Sequence, residues 1–226
     1  LEVTEPTIRQ DLERLEREGH VIRERGGVFL RSVTQQVRSL TLQHLENLDK
    51  KVLIGKKAAE FIKAGDRIIL DSGSTVTEVA KQLHGKQGLT VITNALNIAL
   101  IIGAEYGFEL MVTGGEFKAP TLSLTGEKAA MFFRNVYVDK LFLATGGVSP
   151  NFELTYPGFS DLPVKRAMIE AASEVYVVAD STKFGRSALA SLGNLGDIDY
   201  LITDSGIDAA TIRRLEDIGV KVVIAG

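Results

Sequence analysis

The sequence predicts an α/β protein built on a doubly wound, mostly parallel sheet, preceded by a small and separate N-terminal element. Three observations carry that prediction. From Lys50 onward, stretches with helical apolar spacing alternate with short runs of Val, Ile, Leu and Phe, and the runs give way to Gly, Ser, Thr or Asn. Those runs are almost continuously apolar, which suits strands covered on both faces. Strands alternating with helices along a chain indicate a parallel sheet with helices on either side.

Residues 1–31 read differently from the rest, with Arg and Glu crowding a short helix, a Gly19-His20 step and an Arg25-Gly26-Gly27 segment. Thr4 suits the N-cap, Glu5 the positive end of the helix and Pro6 its first turn. Helical spacing then puts Ile8, Leu12 and Leu15 on one face and Pro6, Gln10, Glu13 and Arg17 opposite, with Thr7 and Arg14 on one flank and Arg9 on the other. Val21 to Leu30 reads as two short strands around a Gly-Gly turn, a wing beside Arg23 and Arg25. This segment carries six Arg against seven acids, but three Arg against one Glu from His20 to Arg31, so positive charge collects at the wing. A solvated amphipathic helix is the plainer reading of such a helix taken alone.

Residues 32–49 show little regular apolar pattern and are read as a linker, partly helical. Residues 50–226 form the main domain. Helices are expected near 51–64, 75–84, 95–103, 124–134, 162–173 and 208–218. Strands are expected near 67–70, 89–92, 108–112, 140–144, 175–179, 200–202 and 220–224. A chain of 226 residues has room for one large domain plus a small appendage.

Composition excludes several functions. With no Cys and only His20, His44 and His84, there is no thiolate nucleophile or zinc-finger pattern, and a histidine metal cluster is not expected. The absence of Cys fits a reducing cytosol. The apolar stretch from Ala95 to Ala104, interrupted by Asn97, is far shorter than the ~20 residues of a membrane span, and no leader pattern opens the chain. A net charge of −3 argues against a surface coated in basic charge, while leaving room for a focused DNA-reading element.

Ligands of doubly wound sheets bind beyond the C-terminal strand ends, so the residues just after each strand matter most. After the first strand comes Asp71-Ser72-Gly73-Ser74-Thr75, leading straight into a helix. Gly permits close backbone approach, the hydroxyls donate hydrogen bonds, and the free N–H groups of the helix start face an anion. Thr93-Asn94 follows the second strand, Thr113-Gly114-Gly115 the third and Thr145-Gly146-Gly147 the fourth. Any one of these loops is also what an ordinary cap or turn would use. Their repetition along one sheet edge points to a site that wraps a small polar ligand. Neither Gly-x-Gly-x-x-Gly nor a Gly-Lys-Ser/Thr loop occurs, so a phosphorylated sugar is expected rather than a dinucleotide or a nucleoside triphosphate, and no cofactor is expected. Lys165 and Lys183 are candidate point charges for a phosphate or a sugar carboxylate, or solvated surface lysines.

The run from Leu1-Glu2-Val3-Thr4-Glu5-Pro6-Thr7-Ile8-Arg9-Gln10-Asp11-Leu12 through Leu15-Glu16-Arg17-Glu18-Gly19 to Arg23-Glu24-Arg25-Gly26-Gly27 resembles the winged helix-turn-helix signature of DeoR-type bacterial regulators. From Ile54-Gly55 through the strand-end loops to Lys165-Arg166 and Ala179-Asp180-Ser181-Thr182-Lys183-Phe184, the body is similar to that family's sugar-phosphate-sensing domain. The resemblance spans nearly the whole chain. It implies a cytoplasmic regulator of a sugar-utilisation operon, usually a repressor, that binds operator DNA as a dimer or higher homo-oligomer under control of a phosphorylated sugar. By the same resemblance Thr4, Thr7, Arg9 and Gln10 lie at or near the start of the recognition helix, with Arg14 on its flank and Arg25 in the wing. The family usually has Ser at position 4 and Arg at position 10; Gln pairs well with adenine and Arg with guanine, so Gln10 alters the expected operator. The chain begins inside the motif, without the helix that should precede the turn, so a truncated winged helix-turn-helix that binds DNA poorly is expected.

The sensing domain also looks like ribose-5-phosphate isomerases, which makes a sugar-phosphate isomerase the alternative. In those enzymes the loop after the fourth strand carries acidic residues for proton transfer. Here Thr145 to Asn151 contains no carboxylate, and proton abstraction needs a base within hydrogen-bond reach. Glu153 and Asp161 are the nearest substitutes, and a regulator without enzyme activity is expected.

Overall fold

A computed structural model describes residues 4–18, 21–24, 27–30 and 44–226 of the chain, in two compact units, Leu1–Glu46 and Asn47–Gly226. In the first unit, helix α1 (Glu5–Arg17) starts after an extended Thr4 and has Pro6 in its first turn. Thr4 makes no side-chain bond to the helix backbone; its hydroxyl lies 2.8 Å from that of Thr7. Leu12 and Leu15 are half-buried and Ile8 is exposed, so the apolar face is only partly covered among the described residues. Strands β1 (Val21–Glu24) and β2 (Gly27–Leu30) pair antiparallel, with Val21 opposite Leu30 and Arg23 opposite Val28. Arg25, expected in the wing, and residues 32–43 of the expected linker lie outside the described residues.

The second unit opens with α2 (Leu48–Ala59), which begins three residues before the helix expected from the spacing. Then come β3 (Arg67–Leu70), α3 (Ser74–Lys81), β4 (Thr90–Thr93), α4 (Leu96–Gly103) and β5 (Glu109–Val112). A hairpin follows, β6 (Glu116–Lys118) and β7 (Ser123–Thr125), then α5 (Glu127–Met131) and β8 (Val138–Leu143). After β9 (Gly147–Val148), β10 (Glu153–Tyr156) and α6 (Leu162–Ala171) comes β11 (Ala172–Val178). The chain closes with β12 (Ala190–Asn194), β13 (Tyr200–Asp204), α7 (Ala209–Asp217) and β14 (Lys221–Ala225).

Seven strands form one sheet in the order β14-β13-β11-β8-β3-β4-β5, with every neighbouring pair parallel. Both faces of the central strands are covered, which explains why they read as continuous apolar runs, whereas the edge strands β5 and β14 are largely exposed or half-exposed. Ile69, Leu141, Leu143, Val175 and Val177 point into one core with α5, α6 and α7. Their neighbours Ile68, Leu70, Phe142, Tyr176 and Val178 point into the other with α2, α3 and α4. In that second layer Phe142, Tyr176 and Tyr200 stack, with centroids 5.1 and 4.4 Å apart.

Three regions differ from the expectation. The helix expected near 124–134 is shorter, because Ser123 to Thr125 pair with β6 before α5 starts. The region from Gly147 to Asn194 contributes a second, three-stranded antiparallel sheet in the order β12-β10-β9. Helix α6 ends at Ala171, where Ala172 turns extended and β11 starts three residues before the expected strand, pairing with Val138 of β8.

Candidate functional site

The sheet order places the switch point between β3 and β8. From β3 the chain builds outward through β4 and β5, then crosses to β8 and builds outward the other way through β11, β13 and β14. Adjacent connections therefore leave β3 and β8 toward opposite sides, which opens a crevice at their C-terminal ends. Asp71 follows β3 and Ala144 follows β8, and the two are bonded across that crevice, the Ala144 N–H donating to the Asp71 carboxylate at 3.1 Å. At Gly73 (φ 152°) a Cβ would stand 2.6 Å from the Ala144 Cβ, so only glycine lets these loops approach so closely.

Asp71 is fully buried and its carboxylate forms an ion pair with the Lys165 ammonium, itself buried, delivered by α6. Burial pushes the Asp71 carboxyl above its ordinary range despite the neighbouring Lys165. The Lys165 ammonium also lies 4.8 Å from the centroid of the Tyr156 ring. Tyr156 donates to the Ala144 carbonyl at 2.7 Å, and burial together with the Asp71 carboxylate raises its hydroxyl well above the usual value. Lys165 is thus neither a charge left free for a ligand nor a solvated surface lysine: Asp71 and Tyr156 hold it in the crevice floor.

Helix α3 starts at the mouth of this crevice, and no side chain caps it. Ser72 and Thr75 are buried, while Gly73 and Ser74 are half-exposed. The first N–H groups of a helix have no intrahelical acceptor, so the positive end of α3 is directed at the loop Asp71 to Ser74. On the far side of β3, Thr93 is committed internally: its hydroxyl donates to the Leu70 carbonyl at 2.7 Å and accepts from the Ala95 N–H at 3.0 Å. Asn94 is buried, and its amide donates to the Leu124 carbonyl at 3.1 Å. Gly114 and Gly115 are exposed beyond β5, where the chain turns into the β6–β7 hairpin. Thr145 is half-buried and donates to the Gly147 carbonyl at 2.8 Å. Gly146 is exposed, whereas Gly147 is buried in β9, with the Arg186 carbonyl 2.6 Å from where a Cβ would be. Lys183 is half-exposed in a short turn after β11.

All these residues lie on one edge of the sheet, but their side chains play different parts. Ser72 to Thr75 border the crevice, Asp71 and Lys165 form its floor, and Thr93, Thr145 and Gly147 chiefly hold the loops in shape. Among the described residues, four buried side-chain atoms have no hydrogen-bond partner in the protein: Asn94 Oδ1, Thr113 Oγ1, Asp180 Oδ2 and Thr203 Oγ1. Each sits at or just past the C-terminal end of a strand of the large sheet. Among the described residues no group of three His, Cys, Asp or Glu side chains is placed to hold a metal, and no helix is long and apolar enough to cross a membrane.

Of the two carboxylates nearest the expected catalytic loop, Asp161 is ion-paired with Lys118 from β6, and Glu153 is exposed on β10, accepting from the Ser191 hydroxyl at 3.2 Å. On α1, Thr7, Gln10 and Arg14 are exposed. Arg9 is paired with Glu5 at 2.7 Å and Arg14 with Glu18 at 3.5 Å, both pairs solvent-exposed.

The family description "DeoR C terminal sensor domain" matches residues 46–205, and "DeoR-like helix-turn-helix domain" matches residues 1–35. The chain belongs to the DeoR family of transcriptional regulators. A putative aga operon transcriptional repressor of Escherichia coli O157:H7 is 33% identical over 226 residues, covering 99% of this chain and 84% of that protein. The HTH-type transcriptional repressor GlcR of Bacillus subtilis (strain 168) is 34% identical over 224 residues, covering 99% and 86%. Among solved structures, eIF2B delta from Chaetomium thermophilum shares the fold at a TM-score of 0.51 and 17% identity, over 71% of this chain and 57% of that one. Ribose 5-phosphate isomerase A from Methanocaldococcus jannaschii aligns at a TM-score of 0.46 and 19% identity, over 61% and 55%. The DeoR-family relatives are named as regulators of transcription.

Sequence reasoning missed Tyr156, Lys118 and the Asp71–Lys165 pair. Tyr156 ends an alternating Glu-Leu-Thr-Tyr run whose period of two is a strand signal. The pairs Lys165–Asp71 and Lys118–Asp161 join residues 94 and 43 positions apart, and no local pattern announces them.

Proposed function

We propose that this DeoR-family chain represses a sugar-utilisation operon and is switched by a phosphorylated sugar bound in the crevice between β3 and β8. The observation that carries the proposal is the uncapped start of α3 beside Ser72, Gly73 and Ser74 at the switch point. A phosphate there accepts from the free N–H groups of the helix and from the two serine hydroxyls. Thr75, Thr145 and Gly146 line the same edge, and the unpaired Asn94 Oδ1 is an acceptor suited to a sugar hydroxyl. Asp71, held by Lys165, shapes the site together with Thr93 and Gly147, Gly114 and Gly115 set the exit toward the hairpin, and Lys183 supplies positive potential. The relatives named as repressors, one of them of an aga operon, support the reading of the output.

Along the chain, residues 1–31 form the DNA-reading part, 32–49 the linker, and 50–226 the sensing domain. The exposed Thr7, Gln10 and Arg14, with Thr4, Arg9 and Arg25, meet operator DNA. Arg9 is available because an exposed ion pair with Glu5 holds it by no more than ~1 kcal/mol. Two operator half-sites require at least a homodimer. The site of action is the cytoplasm.

The test is a melting-temperature panel of glucose 6-phosphate, ribose 5-phosphate, fructose 1-phosphate and galactosamine 6-phosphate, each beside its unphosphorylated parent. A ligand at ~100 times its dissociation constant adds about 2.7 kcal/mol. A shift with one phosphate and not its parent supports the reading; equal shifts with parent and phosphate overturn it.

A further inference from the structure

The first residues of the second unit are fastened to a loop on the same sheet edge as the crevice. Asn47 takes the left-handed conformation (φ 53°), and its amide donates to Thr182 Oγ1 at 3.2 Å and to Asp180 Oδ1 at 3.5 Å. One turn on, Lys50 Nζ donates to Ser181 Oγ at 2.8 Å and pairs with Asp204 Oδ2 at 3.0 Å. Asp204 also accepts from the Ser181 N–H at 2.6 Å, the Ser181 hydroxyl at 2.9 Å and the Gly206 N–H at 2.9 Å. Burial pushes the Asp204 carboxyl up, but these donors together with Lys50 outweigh it and hold it below its ordinary value. The joint is packed down to the backbone: a Cβ on Gly206 would overlap Ser181 Oγ and stand 3.2 Å from Lys50 Nζ.

Farther along, α2 rests on α3. At Gly55 a Cβ would lie 2.7 Å from the Glu78 carbonyl carbon, so the two helices touch backbone to backbone. Helix α2 is thus supported at its start and at its middle, by the turn after β11 and by α3, both of which reach the sheet edge that carries the crevice. Its start rests on the turn that ends in Lys183, and its middle rests on the helix whose first turn forms the cradle. Immediately before Asn47, the chain leads to the DNA-reading unit.

We infer that α2 transmits ligand occupancy to the DNA-reading unit, and that Asn47, Lys50, Ser181 and Asp204 form the joint that fixes its first turn. This rests on the reading that the crevice holds a phosphorylated sugar. A ligand that draws the start of α3 and Lys183 together shifts both supports of α2, and the joint converts that shift into a change at residues 44–50. A two-state element biased in this way couples sites by a typical 5- to 150-fold.

The experiment is hydrogen exchange of the whole chain with and without the member of the four-phosphate panel that shifts its melting temperature most, or with inorganic phosphate if none does. It compares the wild type with Asn47→Gly/Lys50→Met and with Ser181→Ala. Glycine accepts the left-handed backbone of position 47, so the first variant removes side-chain ties without straining the turn. In the wild type, the probe is expected to slow exchange in residues 71–77 and to change it at least about 5-fold in 44–51, the low end of typical coupling. In both variants, protection of 71–77 should persist while the response of 44–51 drops below about 2-fold. An unchanged 44–51 response in both variants, or none in the wild type despite protection of 71–77, overturns the inference. Absence of protection at 71–77 in the wild type instead overturns the reading of the crevice beneath it.

Discussion

Replacing Lys165 by Met removes the cation paired with the Asp71 carboxylate. Met keeps most of the side-chain volume, so the loss is electrostatic rather than a cavity. Asp71 is then left buried with the Ala144 N–H at 3.1 Å and a weak contact from the Ser72 hydroxyl at 3.5 Å. Removing one member of a buried ion pair costs about 3–5 kcal/mol, because an uncompensated charge remains. For a unit of this size, ~2–4 °C per kcal/mol translates that loss into a melting temperature lower by about 6–20 °C. All five tyrosines lie beyond residue 100 and there is no Trp, so tyrosine fluorescence follows the second unit without interference from the first.

The pH dependence of that variant has a definite sign. Without Lys165 the Asp71 carboxyl, already above its ordinary value through burial, rises further. A carboxyl whose folded value exceeds its unfolded one binds its proton more tightly in the native state, so the variant regains stability as pH falls through the folded value. The deficit against the wild type should be full at pH 8 and smaller at pH 5. Asp71→Asn/Lys165→Met, which removes both charges, should recover at least half of the loss. A deficit below about 1 kcal/mol, well under the cost of a broken buried pair, or one equal at the two pH values, would refute the buried-pair account.

Further outcomes are expected elsewhere. Ser74→Glu puts a carboxylate at the start of α3, where the helix itself tolerates it, and should abolish the melting shift with sugar phosphate while leaving the unliganded melting temperature within ~1 kcal/mol of stability. Gly73→Ala forces a Cβ to within 2.6 Å of the Ala144 Cβ; it should lower the melting temperature and weaken phosphate binding together, read in the same titration. Because Asp204 is held below its ordinary value, its contribution to the joint is complete above the usual carboxylate range and lost as pH falls through its folded value; hydrogen exchange of residues 47–51 should therefore be steady from pH 7 to pH 5 after correction for intrinsic rates. Gln10→Arg should shift the preferred base at one operator position from adenine toward guanine by about 1–3 kcal/mol, read by selection from a randomised duplex pool.

The sheet was legible because its central strands are covered on both faces and so announce themselves as unbroken apolar runs, while the edge strands β5 and β14 keep apolar runs though partly exposed. The loops were legible for a related reason: strands that all run parallel bring every strand end to one edge, so Asp71, Asn94, Gly114 and Thr145 are neighbours by topology. Two features were not legible. The β6–β7 hairpin and the β9–β10–β12 sheet consist of strands of two to five residues, too short for a pattern to rise above turn composition. Nor could spacing show that Lys165 and Lys50 are engaged by Asp71 and Asp204, because those partners come from distant strand ends. Lysine in sequence signals exposure, and only the tertiary structure shows the carboxylate that holds it down.

On the proposed reading, occupancy of the crevice between β3 and β8 controls DNA binding. Fluorescence anisotropy of a duplex selected by the protein with a complete helix-turn-helix, titrated with and without the sugar phosphate that shifts the melting temperature, tests it most directly. The Kd for DNA is expected to change by about 5- to 150-fold with that sugar phosphate, and the change to disappear in Ser74→Glu. A DNA Kd unaffected by a sugar phosphate shown to occupy the crevice, or a full response in Ser74→Glu, would contradict that reading.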